Sequence, residues 1–475
     1  MVNTTSSMAR SPLVVALLLS LFLLSSLASS AVGWSRRGEE EEGDDERRRG
    51  RHGEGGRPYH FGEESFRHWT RTRHGRFSVL ERFSDEPLVG AVWDYRVAVL
   101  EAAPRAFLQP SHYDADEVFY VKEGEGVIVL LREGRRESFC VREGDAMVIP
   151  AGAIVYSANT HSSKWFRVVM LLNPVSTPGR FEEYFPVGGD RPESFFSAFS
   201  DDVLQAAFNT RREELEKVFE RQREGGEITT APEEQVRELS KSCSRGGGSG
   251  SEWEIKPSSL TGKRPTYSNN HGKMFEIDGD ECRHLRKLDM LVGLANITRG
   301  SMMAPSYSTR ATKVAMVLHG SGYFEMACPH VSGGRSSERR EREREQGRRE
   351  EWGREEEEQE EEQHGGRQQK ARRYHKVRAQ VREGSVIVIP AAHPATFVAG
   401  DDENLSVLCF GVGANYDDKV FLAGRNSLLR QLDDPAKALV FGGSAAREMV
   451  DRVLAAQPEQ IFLRGPHGRG GVSDA

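Results

Sequence analysis

Three side chains of this sequence have the types and the spacing of a soft metal site. Cys328 and His330 are separated by one residue, so on a β-strand both point to the same face, and His393 lies further along the chain. A thiolate with two imidazoles suits copper or zinc. The alternative is a buried free cysteine with two structural histidines, which Pro329 favours because proline disturbs a regular strand.

No other arrangement of residues carries a catalytic signature. The glycine-rich runs GEGEG, around residue 124, and GGGSG, at 246–250, do not lead from a strand into a helix as phosphate-binding loops do. Ser, His and Asp are plentiful but form no local nucleophile motif. The sequence therefore predicts no catalytic residue, no enzymatic activity and no required cofactor, with copper or zinc as the one candidate.

Five cysteines leave at least one without an intramolecular partner. Cys140 and Cys409 lie in apolar, strand-like runs and are predicted to be core residues. Cys243 and Cys282 flank a loop-like region and could pair, although no sequence argument fixes that connectivity.

Length and charge restrict the class of protein. A chain of 475 residues predicts two or three folded units. With 65 Lys+Arg against 72 Asp+Glu, the net charge of −7 argues against a nucleic-acid-binding protein. Arginine outnumbers lysine by 52 to 13, which makes the chain rich in nitrogen. Either selection for nitrogen content or a GC-rich genome accounts for that bias.

The N-terminus predicts entry into the secretory pathway. Arg10, an apolar stretch over 12–24 and small residues at 29–31 have the pattern of a signal peptide covering 1–31. The apolar stretch is too short for a comfortable membrane span, so no membrane segment is expected in the mature form. Asn296 and Asn404 begin Asn-X-Ser/Thr sequons and are candidate glycosylation sites.

Two charged segments are predicted to be disordered. Residues 32–57 and 335–373 mix Glu, Arg and Gly with almost nothing apolar, and so bury too little surface to offset the entropy of ordering. These segments, and a predicted linker at 223–250, are expected to be open to processing proteases.

The remaining sequence is an internal duplication. ADEVFYVKEGEG (115–126) matches ATKVAMVLHGSG (311–322) at an offset of 196, and REGDAMVIPAGA (142–153) matches REGSVIVIPAAH (382–393) at an offset of 240. The offset between matching positions is larger after the charged segment 335–373 than before it. The protein is therefore predicted to be two copies of one unit, the second carrying an insertion.

Each unit reads as antiparallel strands followed by helices. Short β-branched segments bounded by Gly, Asp and Asn are typical of a sandwich or barrel. Apolar residues then recur at helical spacing in 202–222 and 445–463. An apolar helical face outside a barrel needs a cover, for which another subunit or the chain's own barrel could serve. The predicted domains are 58–222 and 251–465, with a flexible tail over 466–475.

The paired motifs resemble those of the cupin superfamily. The residues that carry the resemblance in the first unit are His112, Glu117, Gly124, Gly144, Pro150, Gly152 and Asn159. Two such units in tandem, with helical arms and an acidic, arginine-rich insert, are similar to the vicilin-type 7S seed storage globulins over 58–465. That resemblance implies two jelly-roll barrels, a homotrimer held by the helical arms, and protein storage vacuoles as the destination.

The resemblance also shows which ligands are lost. Metal-dependent cupin enzymes hold their ion with three imidazoles and one carboxylate. The first unit keeps His112 and Glu117, but Pro110 and Val155, which cannot ligate, stand at the other two positions. His112 and Glu117 are therefore interpreted as a degenerate motif with a structural role.

In the second unit the first-motif positions hold Ser306, Ser308 and Lys313, and a lysine opposes metal binding. The sequence thus predicts a storage protein degraded at germination to supply nitrogen and carbon. The alternatives are a metal- or small-ligand-binding relative that uses the C-terminal barrel, and a secreted cupin enzyme, which the missing ligands disfavour. An extracellular location is the alternative to the vacuole.

Overall fold

The computed structural model describes residues 58–85, 88–188, 191–219, 225–241, 243, 255–329, 374–441 and 447–466. The predicted signal peptide, the charged segments 32–57 and 335–373, and His330 lie outside the described residues. So does the tail from residue 467 onward.

The first half of the described chain contains thirteen strands. In chain order they are β1 (His60–Phe61), β2 (Phe66–Thr72), β3 (Gly75–Leu80), β4 (Arg96–Ala102), β5 (Ala106–Tyr113), β6 (Ala115–Glu123), β7 (Glu125–Arg132), β8 (Arg135–Arg142), β9 (Asp145–Ile149), β10 (Ile154–Asn159), β11 (Phe166–Pro174), β12 (Glu183–Tyr184) and β13 (Ile228–Thr230).

The second half of the described chain contains fourteen strands. They are β14 (Ser258–Ser259), β15 (Tyr267–Asn269), β16 (Gly272–Ile277), β17 (Met290–Ile297), β18 (Ser301–Met303), β19 (Ser306–Ser308), β20 (Thr312–His319), β21 (Ser321–Cys328), β22 (His375–Arg382), β23 (Val386–Ile389), β24 (Ala395–Ala399), β25 (Leu405–Val412), β26 (Lys419–Phe421) and β27 (Phe462–Arg464).

The described chain also contains short helices, most of which lie in the arms that follow the barrels. They are α1 (Asp201–Phe208), α2 (Arg212–Phe219), α3 (Glu233–Lys241), α4 (Arg283–Lys287), α5 (Asp434–Phe441) and α6 (Arg447–Ala455), with 3-10 turns at Glu63–Ser65, Phe195–Ala198 and Leu428–Gln431. Within the described ranges, no helix is long and apolar enough to cross a bilayer.

The strands close into two tandem jelly-roll barrels, which confirms the predicted fold class. In the N-terminal barrel, the sheet β14-β9-β6-β11-β4-β3-β2 faces the sheet β12-β5-β10-β7-β8, to which β13 is added on β5. In the C-terminal barrel, β1-β23-β20-β25-β17-β16-β15 faces β22-β21-β24-β18-β27, together with β19 and β26. The helices α1 and α2 lie along the predicted arm 202–222, and α6 lies in the predicted arm 445–463. The helix α5 precedes that second range, and the end of the range belongs to β27.

A continuous apolar core joins the two barrels. On β6, Phe119 and Val121 belong to the interior of the N-terminal barrel. Val118 and Tyr120, on the opposite face, belong to a cluster shared with the C-terminal barrel. Because both faces of this strand are buried over 118–121, that part reads VFYV and does not alternate.

The barrels also exchange strands. β1, which precedes the N-terminal barrel, pairs with β23 of the C-terminal barrel through His60 and Ile387. β14, which precedes the C-terminal barrel, pairs with β9 of the N-terminal barrel through Ser258 and Ala146. Each barrel is therefore completed by chain that lies next to the other barrel in sequence.

The structure differs from the predicted linker at 223–250. Within that range β13 pairs with β5 of the N-terminal barrel, and α3 buries Val236. The polar composition of α3 hides this packing, because one buried valine and a three-residue strand give too weak a periodic pattern to detect.

Candidate functional site

The interior of the N-terminal barrel contains a cavity of about 70 Å³ with a cluster of carboxylates. Glu117 enters from β6 and is only 4% exposed. Glu183 enters from β12, and Glu227 precedes β13; all three line the cavity. Among the described residues that line it, none is lysine, arginine or histidine.

Two of these carboxylates have hydrogen-bond partners. The hydroxyls of Ser111 and Tyr113, both on β5, donate to Glu183, and the hydroxyl of Thr70 donates to Glu227. Glu117 has no such donor among the described residues, so its carboxylate lacks the hydrogen bonds that normally offset burial.

Burial favours the neutral form of all three acids. Burial, and then the charges of Glu183 and Asp116, raise the pKa of Glu117 to about 8. Burial is also the main cause that raises the pKa of Glu183 to about 7. Burial likewise raises the pKa of Glu227. The site is a weakly ionised acidic cluster, in place of a metal centre of imidazoles.

The two remnants of the cupin motif do not meet. His112 lies on β5 next to Tyr113, but its ring stacks on Tyr184 at 4.9 Å between centroids and contacts Phe195 edge-on at 6.1 Å. Burial lowers the pKa of His112, which keeps the imidazole neutral. Because neighbouring strand residues point to opposite faces, His112 does not line the cavity that contains Glu117.

The C-terminal barrel has a cationic interior. Lys313 lies on β20, and its pKa is lowered to about 8 by burial and then by the charge of Lys419. The ammonium of Lys419 is 3.2 Å from a carboxylate oxygen of Glu276. Burial raises the pKa of the nearby thiol of Cys409. Lys313 therefore stands at a first-motif position, where a cation opposes metal binding, and the charge of Lys419 acts on it.

Part of the candidate metal cluster lies at the edge of the same barrel. Cys328 is fully buried at the end of β21, and its Sγ is 3.2 Å from the hydroxyl of Tyr59. The ring centroids of Tyr59 and His393 are 6.4 Å apart, and Nδ1 of His393 donates to the carbonyl of Ala391 at 2.9 Å.

Within the residues described, no group of three or more His, Cys, Asp and Glu is arranged to hold a metal. His330 lies outside that set. Sequence reasoning missed Tyr59, because this residue reaches the cluster through β1, across 269 positions of the chain.

The cysteine pairing differs from the one that the sequence made plausible. Cys243 forms a disulfide with Cys140, with 5.2 Å between their Cα atoms, and Cys282 is free. Cys140 is therefore not a reduced core residue. The bridge connects the chain just after α3 to β8, so it attaches that helix to the outside of the barrel.

Replacing Cys243 with Ser is expected to destabilise the protein by about 2–4 kcal/mol, because the bridge closes a loop spanning 103 positions. It should also make α3 accessible to proteases. Limited proteolysis followed by mass spectrometry of the fragments measures this as earlier cleavage within 225–243. Cys282→Ser is the matched control and should leave the cleavage pattern unchanged; an equal change in both variants would contradict the assignment.

The two sequons differ in accessibility. Asn296 lies within β17, where it pairs with Ser406 of β25 and Lys273 of β16, and its Oδ1 is buried. Asn404 is exposed just before β25, and its Oδ1 accepts a hydrogen bond from the backbone N–H of Arg299 at 2.9 Å. Asn404 is thus the more exposed of the two sequon asparagines.

We expect glycan at Asn404 and none at Asn296, because Asn404 is exposed outside the strands, whereas Asn296 lies within β17 with its Oδ1 buried. Mapping of deglycosylated peptides in heavy-oxygen water, which marks each formerly glycosylated asparagine, measures the occupancy. Asn404→Gln should remove the whole mass shift, and Asn296→Gln should remove none. Occupied Asn296 would contradict the expectation.

Two tandem jelly-roll barrels that retain only fragments of a metal-binding motif define a bicupin without the usual metal centre. The cupin family model matches residues 95–216 and 258–447, more than half of the chain. The chain is 85% identical over 475 residues to cupincin from Oryza sativa subsp. indica, covering 99% of each.

It is also 43% identical to the globulin-1 S allele of Zea mays, over 87% of this chain and 72% of that protein. The crystal structure of vicilin from Corylus avellana superposes with a TM-score of 0.73 at 37% identity, over 86% of this chain and all of that one. The chain belongs to the vicilin-type 7S globulin family.

Proposed function

We propose that this protein is a seed storage globulin, a nutrient reservoir that accumulates in protein storage vacuoles and is degraded at germination. The observation that carries the proposal is the combination of membership in the vicilin family with two barrels whose interiors have lost the cupin ligand set. Lys313 and Lys419 occupy one interior, and a weakly ionised acidic cluster occupies the other. Neither is the ligand set of a metal-dependent cupin enzyme.

The helical arms support assembly as a homotrimer. In the first arm, Phe208 and Phe219 pack on Phe196, with ring centroids 5.4 and 4.6 Å apart. Val203 and Val218 remain 52% and 65% exposed. The second arm exposes a similar set, which consists of Leu439, Val440, Met449 and Val453. Exposed apolar faces on both arms are the surfaces that subunits of a closed ring would bury.

The storage role is tested by measuring the abundance of this polypeptide through seed maturation and germination by quantitative mass spectrometry. A large accumulation in the maturing seed, followed by steep loss at germination, is the expected result. A scarce protein that persists through germination would overturn the proposal. The first proteolytic cuts are expected in 335–373 and in 244–250, the Gly- and Ser-rich end of the predicted linker; first cuts within β6 or β23 would argue against mobilisation by this route.

A second function, binding of copper or zinc at the C-terminal barrel, is favoured by the contact between Cys328 and Tyr59. The phenol of Tyr59 contacts the thiol of Cys328, and its ring centroid is 6.4 Å from that of His393, whose Nδ1 donates to Ala391. A thiol and an imidazole are soft and borderline ligands, and His330, two residues after Cys328 in the sequence, is the third candidate.

Elemental analysis of protein purified without chelators tests the metal site. Stoichiometric copper or zinc that is lost in Cys328→Ser and retained in Cys409→Ser would support it. Background metal in all three proteins would reject it and leave the storage role unaffected.

A further inference from the structure

The acidic cavity of the N-terminal barrel has the features of a binding site that storage does not require. Glu117 is 4% exposed and faces the cavity without a hydrogen-bond donor among the described residues. A buried carboxylate without a donor is costly, and such groups occur where a ligand or an ordered water completes them. The unmet hydrogen-bonding capacity of Glu117 therefore points to an occupant.

The side chains around Glu117 determine whether the occupant of the cavity is a cation or an anion. Glu183 and Glu227 line the same cavity, and Ser111, Tyr113 and Thr70 already donate to them. An ionised carboxylate accepts at about four positions, so both retain acceptor capacity. Once ionised, these acids repel an anion and attract a cation, and no basic side chain among the described lining residues offsets their charge.

The walls determine the kind of cation. Apart from the acids and the polar residues Thr70, Gln109, Ser111, Tyr113, Tyr156 and Ser157, the lining is apolar, with Phe119, Ile149 and Val168 among its residues. Such walls cannot replace the hydration shell of a metal ion, and within the described residues the acids do not converge as metal ligands. An ammonium group presents three donors, and a short alkyl chain can contact the apolar wall.

The volume of the cavity limits the length of the ligand's alkyl chain. The cavity volume is about 70 Å³, roughly half of the ~150 Å³ cavity that accommodates benzene. An occupant of about three heavy atoms follows from that ratio. We propose that the N-terminal barrel binds a small primary ammonium ion, with its cationic group hydrogen-bonded to Glu117 and its alkyl chain against the apolar wall.

Binding must compete with protons. The titratable groups around Glu117 are Asp116 on its own strand, Glu183 on β12 and Tyr113 on β5, with Glu227 beyond Tyr113. An ammonium ion requires ionised Glu117, whereas burial favours the protonated acid. If one proton is displaced, the affinity should rise about tenfold per pH unit until Glu117 is ionised.

The probe is ethylammonium chloride, titrated calorimetrically into the full-length, assembled protein between about pH 5 and pH 8, with ethanol as the uncharged analogue of similar size. One ethylammonium per protomer, bound more tightly as pH rises, with no saturable binding of ethanol, is the expected result. Binding of ethanol with equal affinity, or no saturable binding of ethylammonium at any pH, would overturn the proposal.

Two variants locate the site. Glu117→Gln keeps the shape and should abolish ethylammonium binding, and circular dichroism verifies that it is folded. Glu213→Gln, at an exposed position on α2 outside the cavity, should bind like the wild type. Equal binding by both variants would place the ligand elsewhere and reject the assignment, and a crystal structure with ethylammonium should show it beside Glu117.

Discussion

Replacing Glu117 with Gln is expected to stabilise the protein at neutral pH and to leave its stability at about pH 4 nearly unchanged. Burial raises the pKa of Glu117 to about 8 in the folded state, from 4.5. As pH rises between these values, the unfolded chain releases this proton while the folded chain retains it. Wild-type stability therefore falls by roughly 1.4 kcal/mol per pH unit, or about 5 kcal/mol in all.

Glutamine does not ionise, so the variant should lack this part of the pH dependence. The measurement is the free energy of unfolding against pH, at fixed protomer concentration because subunit association contributes to stability. Glu213→Gln is the control and should follow the wild-type curve. Parallel curves for wild type and Glu117→Gln, with no divergence above about pH 5, would show that Glu117 does not carry this penalty.

Substituting Glu for both Val218 and Val453 is expected to dissociate the proposed homotrimer into folded monomers. Each valine is 65% exposed in the single chain, so the monomer tolerates the change. In the proposed assembly each would be buried, where a well-buried apolar side chain contributes about 1.5–3 kcal/mol and a carboxylate is strongly unfavourable. Because a trimer contains three copies of each contact, the total loss of association free energy is larger than the loss at one contact.

Sedimentation equilibrium gives the mass directly, and circular dichroism verifies that the barrels remain folded. The matched control introduces Glu at Val89 and Val175, which are 56% and 59% exposed on the N-terminal barrel, away from the arms. The control is expected to stay trimeric. A double arm variant that remains trimeric would show that the arms are not the main contact.

The tandem barrels could be predicted from sequence because their signals are local and repeated. REGDAMVIPAGA and REGSVIVIPAAH each encode one turn and one strand, and the spacing of Gly144 and Pro150 belongs to a family pattern. The apolar spacing of the helical arms is equally local, and the structure has helices at those places.

The contacts that shape the candidate sites are long-range and carry no local pattern. Glu183 and Glu227 lie in short strands or turns, far in sequence from Glu117, and only barrel closure brings them together. Tyr59 reaches Cys328 through a two-residue strand, and Cys140 reaches Cys243 through a polar helix. The hydrophobic periodicity of the sequence cannot predict any of these contacts, because each depends on which distant segment of the chain packs at that place in the folded barrel.

Through the exchange of β1 and β14, each half of the chain contributes a strand to the barrel of the other half. A cut in 244–250 would produce two fragments, yet β1 on the first would stay paired with β23, and β14 on the second would stay paired with β9. The shared apolar core would hold both pieces as well. Nicked protein should therefore co-migrate with intact protein under native conditions, so the first steps of degradation would be visible only after denaturation.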